Sequence, residues 1–380
     1  MKIAIVHDQL REFGGAERVL VELKKIFPQA HVYTSTFSPN SLGEHEGLIK
    51  TWSVKTSWFG KIPLINRLYS PLRFLTPLIW ESFDFSSYDL VISSTGAWMC
   101  KGIKTKHPTL HISYIHHPPR YLYGYETAVE WQKNPIIKIY GTIINFFLRI
   151  WDFEASQRPD HLIANSVETQ KRIEKFYRRK STVIYPPVFI PQNPPLYQLL
   201  PTNYYLTVSR LARAKHIDLL IKTANKYKFQ LKIIGAGRDM NYLKSFAGKT
   251  VEFMGNVSDE KLKEIYASAK AFLFASVDEE FGIAPIEAMG HGIPVIAYAS
   301  GGLIETVKEG NNGYLFKDQS EESLFEKVKK LESLSGTEYI DMRKHARLEA
   351  ERYTEEIFKK QITDFMYHVT HTVSHRSEIK

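Results

Sequence analysis

The sequence predicts an α/β protein with two doubly wound domains, each built on a parallel sheet. A chain of 380 residues is too long for one ordinary hydrophobic core. In both halves, short apolar runs of strand length alternate with stretches of helix length. The most proline-dense segment, Pro186 to Pro201, separates the two series and suits a linker. We therefore expect domains at residues 1–190 and 201–356, followed by a C-terminal helix at 357–380.

Two features of the first half suggest ligand contacts. Gly14-Gly15 lies between the first strand and a helix, where backbone N–H groups can approach a phosphate or sugar; a plain tight turn is an equal alternative. His116 directly follows a strand, which is where open parallel sheets bind ligands. A histidine satisfied by a backbone partner is the alternative there. The predicted strands are Lys2–His7, His31–Thr34, Tyr88–Ser94, His111–Ile115 and Asp160–Ala164.

The second half repeats the pattern of alternating strands and helices. Its turn Gly235-Ala236-Gly237 lacks the third glycine of a dinucleotide fingerprint, so we discount it as a cofactor site. The predicted strands are Tyr204–Val208, Gln230–Ile234, Val251–Gly255, Ala271–Ala275 and Pro294–Ala297.

The stretch from Ser276 to Val307 carries two carboxylates, Glu279 and Glu287, eight positions apart. Phe281-Gly282-Ile283 leads into a helix, and Gly301-Gly302 leads into the next one. We expect both carboxylates beside helix N-termini, where backbone N–H groups attract anions. A phosphate and sugar hydroxyls are the ligands that this arrangement favours.

Arg210 and Lys215 lie five positions apart on the loop after a predicted strand. A guanidinium forks onto phosphate oxygens and an ammonium adds a second charge, so the pair would stabilise a diphosphate and its departure. Simple surface charges are the alternative. We find no Asp-x-Asp triplet, no clustered His/Cys spacing and no Walker motif, so we expect no metal and no P-loop chemistry.

Composition indicates the cellular compartment of the protein and the kind of partner that it binds. Cys100 is the only cysteine, which excludes a disulfide framework and fits a cytoplasmic protein. The apolar run at Met1–Val6 is too short for a signal peptide, and no run is long enough to span a membrane. The net charge of +9 favours an anionic partner. A nucleic-acid-binding protein would account for that charge, but no known binding module is present, so we expect no nucleic acid.

The segment from Gly47 to Trp80 contains five basic residues and no acidic residue, interleaved with aromatic and leucine side chains. This pattern suits peripheral contact with an anionic membrane. The alternative is a solvated segment whose aromatic side chains pack inward. A second apolar run, Tyr140 to Trp151, is interrupted by Arg149.

Taken together, these motifs resemble the retaining GT-B glycosyltransferases of family four. They occur in the family's order over nearly the whole chain, and their combination is specific although no single motif is. The motifs are Gly14-Gly15-Ala16-Glu17-Arg18, Tyr114-Ile115-His116, Asn165-Ser166, Ser209-Arg210 to Lys215, and Glu279 to Glu287, which is similar to the family's Glu-x7-Glu signature. His117 departs from relatives that often carry a hydroxyl residue there, and the spacing favours Glu279 over Glu280 as the first glutamate.

The resemblance implies two Rossmann-like domains facing across a cleft, the first binding the acceptor and the second a nucleotide-sugar donor, with the last helix crossing back to the first domain. Glu287 would bind the ribose and Glu279 the transferred sugar. Arg210 and Lys215 would hold the diphosphate, and Gly15 would offer its N–H nearby. His116 would contact the sugar near the reacting carbon. Backbone N–H groups of Gly301, Gly302 and Leu303 would lie by the phosphates, and Phe281, Gly282 and Ile283 would help to form the donor site.

The motifs around Glu279 and His116 look most similar to mannosyltransferases that build bacterial surface polysaccharide from GDP-mannose. The acceptor would then be a saccharide or a lipid-linked saccharide. The same chemistry with a UDP-sugar is the principal alternative, and a nucleotide-sugar epimerase is a more distant one.

Overall fold

The computed structural model describes residues 1–127, 131–193, 197 and 204–377. Part of the predicted linker, including Pro194, Pro195 and Pro201, and the predicted start of the second domain at 201 lie outside these residues. The chain forms two compact units. The first contains residues 1–125, 131–187 and 355–380, and the second contains 126–130 and 188–354.

The described part of the first unit is built on a seven-stranded sheet in which every paired strand is parallel, in the order β3-β2-β1-β4-β5-β6-β7. Its strands are β1 (Ile3–His7), β2 (His31–Thr34), β3 (Val54–Thr56), β4 (Leu90–Thr95), β5 (Leu110–Ile115), β6 (His161–Ala164) and β7 (Thr182–Val183). Its helices before residue 187 are α1 (Gly15–Ile26), α2 (Glu46–Lys50), α3 (Ile65–Leu68), α4 (Thr76–Glu81), α5 (Arg120–Tyr123), α6 (Pro135–Ser156) and α7 (Val167–Tyr177).

Apolar side chains cover both faces of this sheet. Ile5 and Ile92 belong to one buried cluster, whereas Ala4 and Val91 belong to a second cluster with Trp80. Neighbouring residues of a strand point to opposite faces, so a strand buried on both sides must be apolar at nearly every position. This explains why the central strands appear in the sequence as continuous apolar runs.

The second unit is built on a six-stranded parallel sheet in its described residues, in the order β10-β9-β8-β11-β12-β13. Its strands are β8 (Tyr204–Val208), β9 (Gln230–Ile234), β10 (Val251–Gly255), β11 (Ala271–Phe274), β12 (Val295–Tyr298) and β13 (Gly313–Phe316). Its helices are α8 (Ile217–Tyr227), α9 (Met240–Lys244), α10 (Asp259–Ser268), α11 (Ile283–Gly290), α12 (Leu303–Thr306), α13 (Glu321–Glu332) and α14 (Gly336–Ala350). The predicted α/β class with two Rossmann-like domains is confirmed.

The last helix, α15 (Glu355–Ser377), packs with the first unit. Phe358, Ile362, Met366 and Val369 recur at helical spacing and are all buried in the same cluster as Ile5. The ring of Phe358 lies 6.0 Å from that of Tyr114 on β5. The terminal helix therefore supplies part of the core of a sheet whose strands all precede residue 187.

Candidate functional site

In the second unit, a lysine and a glutamate meet where two neighbouring strands end. Lys215 follows β8, and Glu279 follows β11, which pairs with β8. Lys215 Nζ donates to Glu279 Oε2 at 2.6 Å, and Ser276 Oγ lies 2.8 Å from the same oxygen. The side chains of Lys215 and Glu279 are 20% and 16% exposed to solvent. The result is an accessible cation and anion held at the C-terminal edge of the sheet, where open α/β sheets bind ligands.

Arg210 lies on the same loop and is exposed. The turn at Gly235 and Gly237 packs against this loop. An added Cβ on Gly235 would lie 2.0 Å from the Ser209 carbonyl oxygen, and one on Gly237 would lie 2.2 Å from the Leu211 carbonyl oxygen. Leu211 N–H also donates to Ala236 O at 2.9 Å. The glycines that we discounted as a cofactor motif therefore have a packing role. They let two backbone segments approach closely beside Arg210.

A second pair of glycines fixes the backbone around Glu279. A Cβ on Gly301 would lie 2.0 Å from Glu279 O, and one on Gly302 would lie 2.3 Å from Glu280 O. Gly302 N–H donates to Glu279 O at 2.8 Å. That N–H is engaged within the loop, which differs from our expectation that it faces a phosphate. In the structure, Gly301 and Gly302 allow the backbone to pack closely around Glu279.

Glu287 lies one turn inside α11, which corrects the expectation that both carboxylates flank a helix N-terminus. Gly282 precedes the helix with φ of 88°, a conformation that favours glycine. Phe281 is buried and its ring contacts that of Tyr353 edge-on at 5.1 Å, whereas Ile283 and Glu287 are half-buried. Of the candidate side chains in the second unit, Lys215 and Glu279 are in direct contact.

In the first unit, four buried side chains form a continuous hydrogen-bonded series, which we call the His116 relay. Ser94 Oγ lies 2.8 Å from His116 Nε2 and 3.1 Å from His7 Nδ1. His7 Nε2 lies 3.2 Å from Glu17 Oε1, and Glu17 Oε2 accepts the N–H of Gly14 at 2.9 Å. Each side chain comes from the end of β1, β4 or β5 or from the first turn of α1, where Gly15 is the first residue.

The relay restricts the protonation of its two imidazoles. When both are neutral and Glu17 is ionised, His7 Nε2 must donate to the carboxylate, so His7 Nδ1 accepts the proton of Ser94. The Ser94 oxygen must then accept from His116 Nε2. This pattern leaves His116 Nδ1 as a hydrogen-bond acceptor. Sequence analysis singled out His116, but it did not connect it with Ser94, His7 and Glu17.

Asp8, directly after β1, is a further residue that the sequence analysis did not single out. Its two carboxylate oxygens accept backbone N–H groups of Gly96 and Trp98 at 2.8 Å and of Cys100 at 2.9 Å. The aspartate therefore organises the loop that follows β4, next to the relay. The adjacent His117 has Nδ1 3.0 Å from the carbonyl oxygen of Pro118.

Within the described residues, no group of three or more histidine, cysteine, aspartate or glutamate side chains could hold a metal ion. The second unit offers two cations and a carboxylate at the ends of β8 and β11, which suit the binding of an anionic, hydroxyl-rich molecule. The first unit offers an oriented histidine and the N-terminus of α1.

Comparison with known proteins identifies the family. The family model described as Glycosyltransferase Family 4 matches residues 13–190, and the one described as Glycosyl transferases group 1 matches residues 198–351. The α-1,3/1,6-mannosyltransferase alg2 of Schizosaccharomyces pombe is 24% identical over 377 residues, covering 83% of this chain and 70% of that protein. Glycogen synthase of Mycoplasma mobile is 36% identical over 143 residues, which cover 33% of this chain but only 30% of that protein.

A solved structure of HepE from Anabaena, in complex with UDP and glucose, has the same fold. Its TM-score is 0.68 at 19% identity, and the match covers 97% of this chain and 99% of that one. The two family models lie on the two units, and the matches to alg2 and HepE extend across both. The chain belongs to the family-four GT-B glycosyltransferases.

Proposed function

We propose that this glycosyltransferase transfers mannose from GDP-mannose, with retention of configuration, to a saccharide or lipid-linked acceptor in the synthesis of cell-surface polysaccharide. The observation that carries the donor site is the Lys215–Glu279 pair, held by Ser276 at the ends of β8 and β11. The similarity to a mannosyltransferase over 83% of the chain supports the choice of sugar.

The donor would be bound by groups of opposite charge acting on different parts of the molecule. Lys215 and Arg210 bind the diphosphate and stabilise its negative charge as it leaves. Glu279 accepts hydroxyl protons of the sugar, and Glu287 accepts those of the ribose. Because Lys215 already contacts Glu279, one ammonium can orient the carboxylate and bind a phosphate oxygen at the same time.

Neither glutamate is needed as a nucleophile in this proposal. The acceptor oxygen attacks the anomeric carbon from the face that the diphosphate leaves, and its proton passes to the departing phosphate oxygen. His116 contacts the sugar near the reacting carbon, and the His116 relay holds its ring in place. The chain's contribution is positioning and electrostatic stabilisation, in contrast to the paired carboxylates of retaining glycosidases.

A lipid-linked acceptor would be reached at the cytoplasmic face of a membrane by peripheral contact. No helix among the described residues has the length and apolar character needed to cross a bilayer. The predicted basic segment 47–80 has mixed exposure. Phe59 and Trp80 are buried, whereas Trp58 and Phe74 are exposed. The aromatic side chains of this segment therefore divide between the core and the surface.

Transfer from a UDP-sugar is the second candidate function. The observation that favours it is the structural similarity to a protein solved with UDP and glucose. An epimerase is a more distant alternative, which incubation of the donor without acceptor would reveal as an epimerised sugar.

Calorimetric titration with GDP, UDP and ADP tests the proposal. We expect GDP to bind most tightly, and preference for UDP would favour the second candidate. Lys215→Ala should weaken binding about tenfold or more, because a hydrogen bond to a charged group contributes about 1.5–3 kcal/mol. Glu287→Ala should also weaken it. Lys222→Ala, which removes an exposed ion pair with Asp218 on α8, is the matched control. Equal binding by the Lys215 and Lys222 variants would refute the assigned site.

A further inference from the structure

We propose that the outer face of α6 docks on the surface of an anionic lipid bilayer. Helix α6 has 22 residues, and most of its exposed side chains are large and apolar. Ile136 is 78% exposed, Ile139 64% and Phe147 63%. Soluble proteins rarely expose contiguous apolar patches of this extent without a binding role.

The exposed side chains form one stripe along the helix. At 3.6 residues per turn, Ile136, Ile139, Ile143, Phe146, Phe147 and Ile150 cover less than half of the circumference. We call these six residues the α6 stripe. The opposite side of the helix carries Asn145, Leu148 and Asp152, which are buried. The helix therefore exposes its apolar stripe to solvent, whereas its inner side carries the polar residues Asn145 and Asp152.

Helix α6 is firmly attached through this inner side. Asp152 forms a fully buried ion pair with Lys101 and accepts the hydroxyl proton of Tyr123 at 2.8 Å. Gly141 lies against the ring of Trp131, which would be 2.7 Å from an added Cβ. The α6 stripe is thus a fixed feature of the first unit, because Asp152 and Gly141 hold the helix from the other side.

The surface continues beyond the helix into the basic segment 47–80. Tyr140 on α6 donates its hydroxyl proton to the carbonyl oxygen of Pro71. In the same segment, Leu64 and Leu78 are 70% and 60% exposed, and Phe74 is also exposed. The exposed apolar surface of the first unit therefore consists of α6 together with the neighbouring turns that the sequence analysis identified as basic and aromatic.

The charges around the α6 stripe indicate which kind of partner binds it. The sequence contains no acidic residue from Gly47 to Trp80 and none from Trp131 to Trp151. Lys138 and Arg149 are exposed and lie along one border of the α6 stripe. Apolar side chains bordered by cations match the acyl boundary and headgroups of an anionic bilayer. A second copy of the chain would instead bring two positively charged surfaces together in an isologous contact.

This inference extends the proposed lipid-linked acceptor, but it is tested without donor or acceptor. The full chain is floated with vesicles of phosphatidylcholine containing about one-third phosphatidylglycerol. The parent should float with them. The double variant Ile143→Glu with Phe147→Glu should bind at least about tenfold more weakly, since two large apolar contacts are replaced by charges that the lipids repel. Leu348→Glu, at an exposed leucine of the second unit, is the matched control and should float like the parent.

A second pair of substitutions tests the charge argument. Lys138→Glu with Arg149→Glu should lower binding to anionic vesicles and reduce its dependence on salt. Circular dichroism and GDP titration show whether each variant keeps its fold and its donor site. If the parent floats with the vesicles but does not bind GDP, the donor proposal is refuted and the membrane inference still holds.

Three outcomes would overturn the inference. The first is that the parent remains in the soluble fraction, and the second is that the Ile143/Phe147 variant floats as well as the parent. The third is that the parent binds no vesicles and is a dimer by light scattering, whereas the variant is a monomer. The last outcome would assign the α6 stripe to a second copy of the chain.

Discussion

The hydroxyl group of Ser94 has one proton, and it lies between two histidine nitrogens. Removing it breaks the His116 relay without changing either histidine or Glu17. Because a neutral hydrogen bond contributes about 1 kcal/mol, Ser94→Ala should lower kcat for sugar transfer about fivefold. Nucleotide affinity, which depends on the second unit, should be unchanged. Steady-state kinetics with saturating donor, alongside GDP titration, measure the two quantities.

Ser93→Ala is the matched control for this prediction. Ser93 precedes Ser94 on β4, is equally buried, and bonds His111 Nε2 at 2.9 Å instead of His116. The two variants lose the same atom from neighbouring positions on opposite faces of one strand. An equal loss of kcat in both would mean that the relay has no special role, and that packing of β4 explains the effect.

The residue scale also shows the limit of sequence analysis. His116, Arg210 and Lys215 were identified because each lies just after a recognisable strand, a property that depends only on local sequence. The His116 relay was not, because Glu17, His7 and Ser94 come from three separate elements. Their contact depends on the register of β1 with β4, in which His7 is paired with Ser94. No local pattern in the chain specifies that register.

At the scale of elements, the loop at Gly301 should be unusually sensitive to a single methyl group. Gly301 has φ of 57°, and its added Cβ would lie 2.0 Å from Glu279 O. Gly301→Ala combines a left-handed conformation, which costs an alanine about 1–2 kcal/mol, with a backbone clash that adds about 1–3 kcal/mol. We expect a lower thermal midpoint for the second unit in calorimetry, together with weaker nucleotide binding.

Gly310→Ala separates the two contributions. Gly310 is in the same unit and has φ of 75°, but nothing lies within 4 Å of its added Cβ. This variant should lose only the conformational part and should keep nucleotide binding. If the two variants lose the same stability, the close approach to Glu279 does not contribute.

The elements that the sequence analysis predicted and those it missed differ in burial and length. Strands such as Gln230–Ile234 agree with the observed β9, because they combine a buried apolar run with turn residues on both sides. The edge strands β3, β7 and β13 were not predicted. β3 and β7 contain three and two residues, which carry too little periodicity to distinguish a strand from a loop. β13 has four residues, as many as the predicted β2. Helix α6 was recognised only as an apolar run, because its outer face lacks the polar residues that mark a surface helix.

At the scale of the whole molecule, each unit contains a histidine that burial keeps neutral. Desolvation lowers the pKa of His111, on β5, to about 3, and the cations Arg179 and Arg158 lower it further. Desolvation likewise lowers the pKa of His291, in the second unit, to about 4, with Arg347 and Lys263 adding to the effect. In the unfolded chain both imidazoles titrate near about 6.5.

These shifts predict a loss of stability in mild acid. Between about pH 6.5 and pH 3 the unfolded state binds a proton at His111 that the folded state does not, so the free energy of unfolding falls as the pH falls. The slope from this histidine is at most about 1.4 kcal/mol per pH unit. In His111→Gln, the melting temperature of the first unit should depend less steeply on pH across this range. Parallel curves for the parent and the variant would contradict the prediction, and His291→Gln should affect the second unit instead.

The position of α15 has a consequence for how the protein is made. All strands of the first unit have left the ribosome once residue 187 is synthesised and clear of the exit tunnel, but Phe358, Ile362, Met366 and Val369, which complete its core, follow only after the second unit has been translated. At typical elongation rates this interval is on the order of ten to thirty seconds. During this time the nascent first unit exposes apolar side chains beside α1 and β5, the kind of surface that chaperones bind. Helix α15 therefore makes completion of the first unit depend on translation of the second.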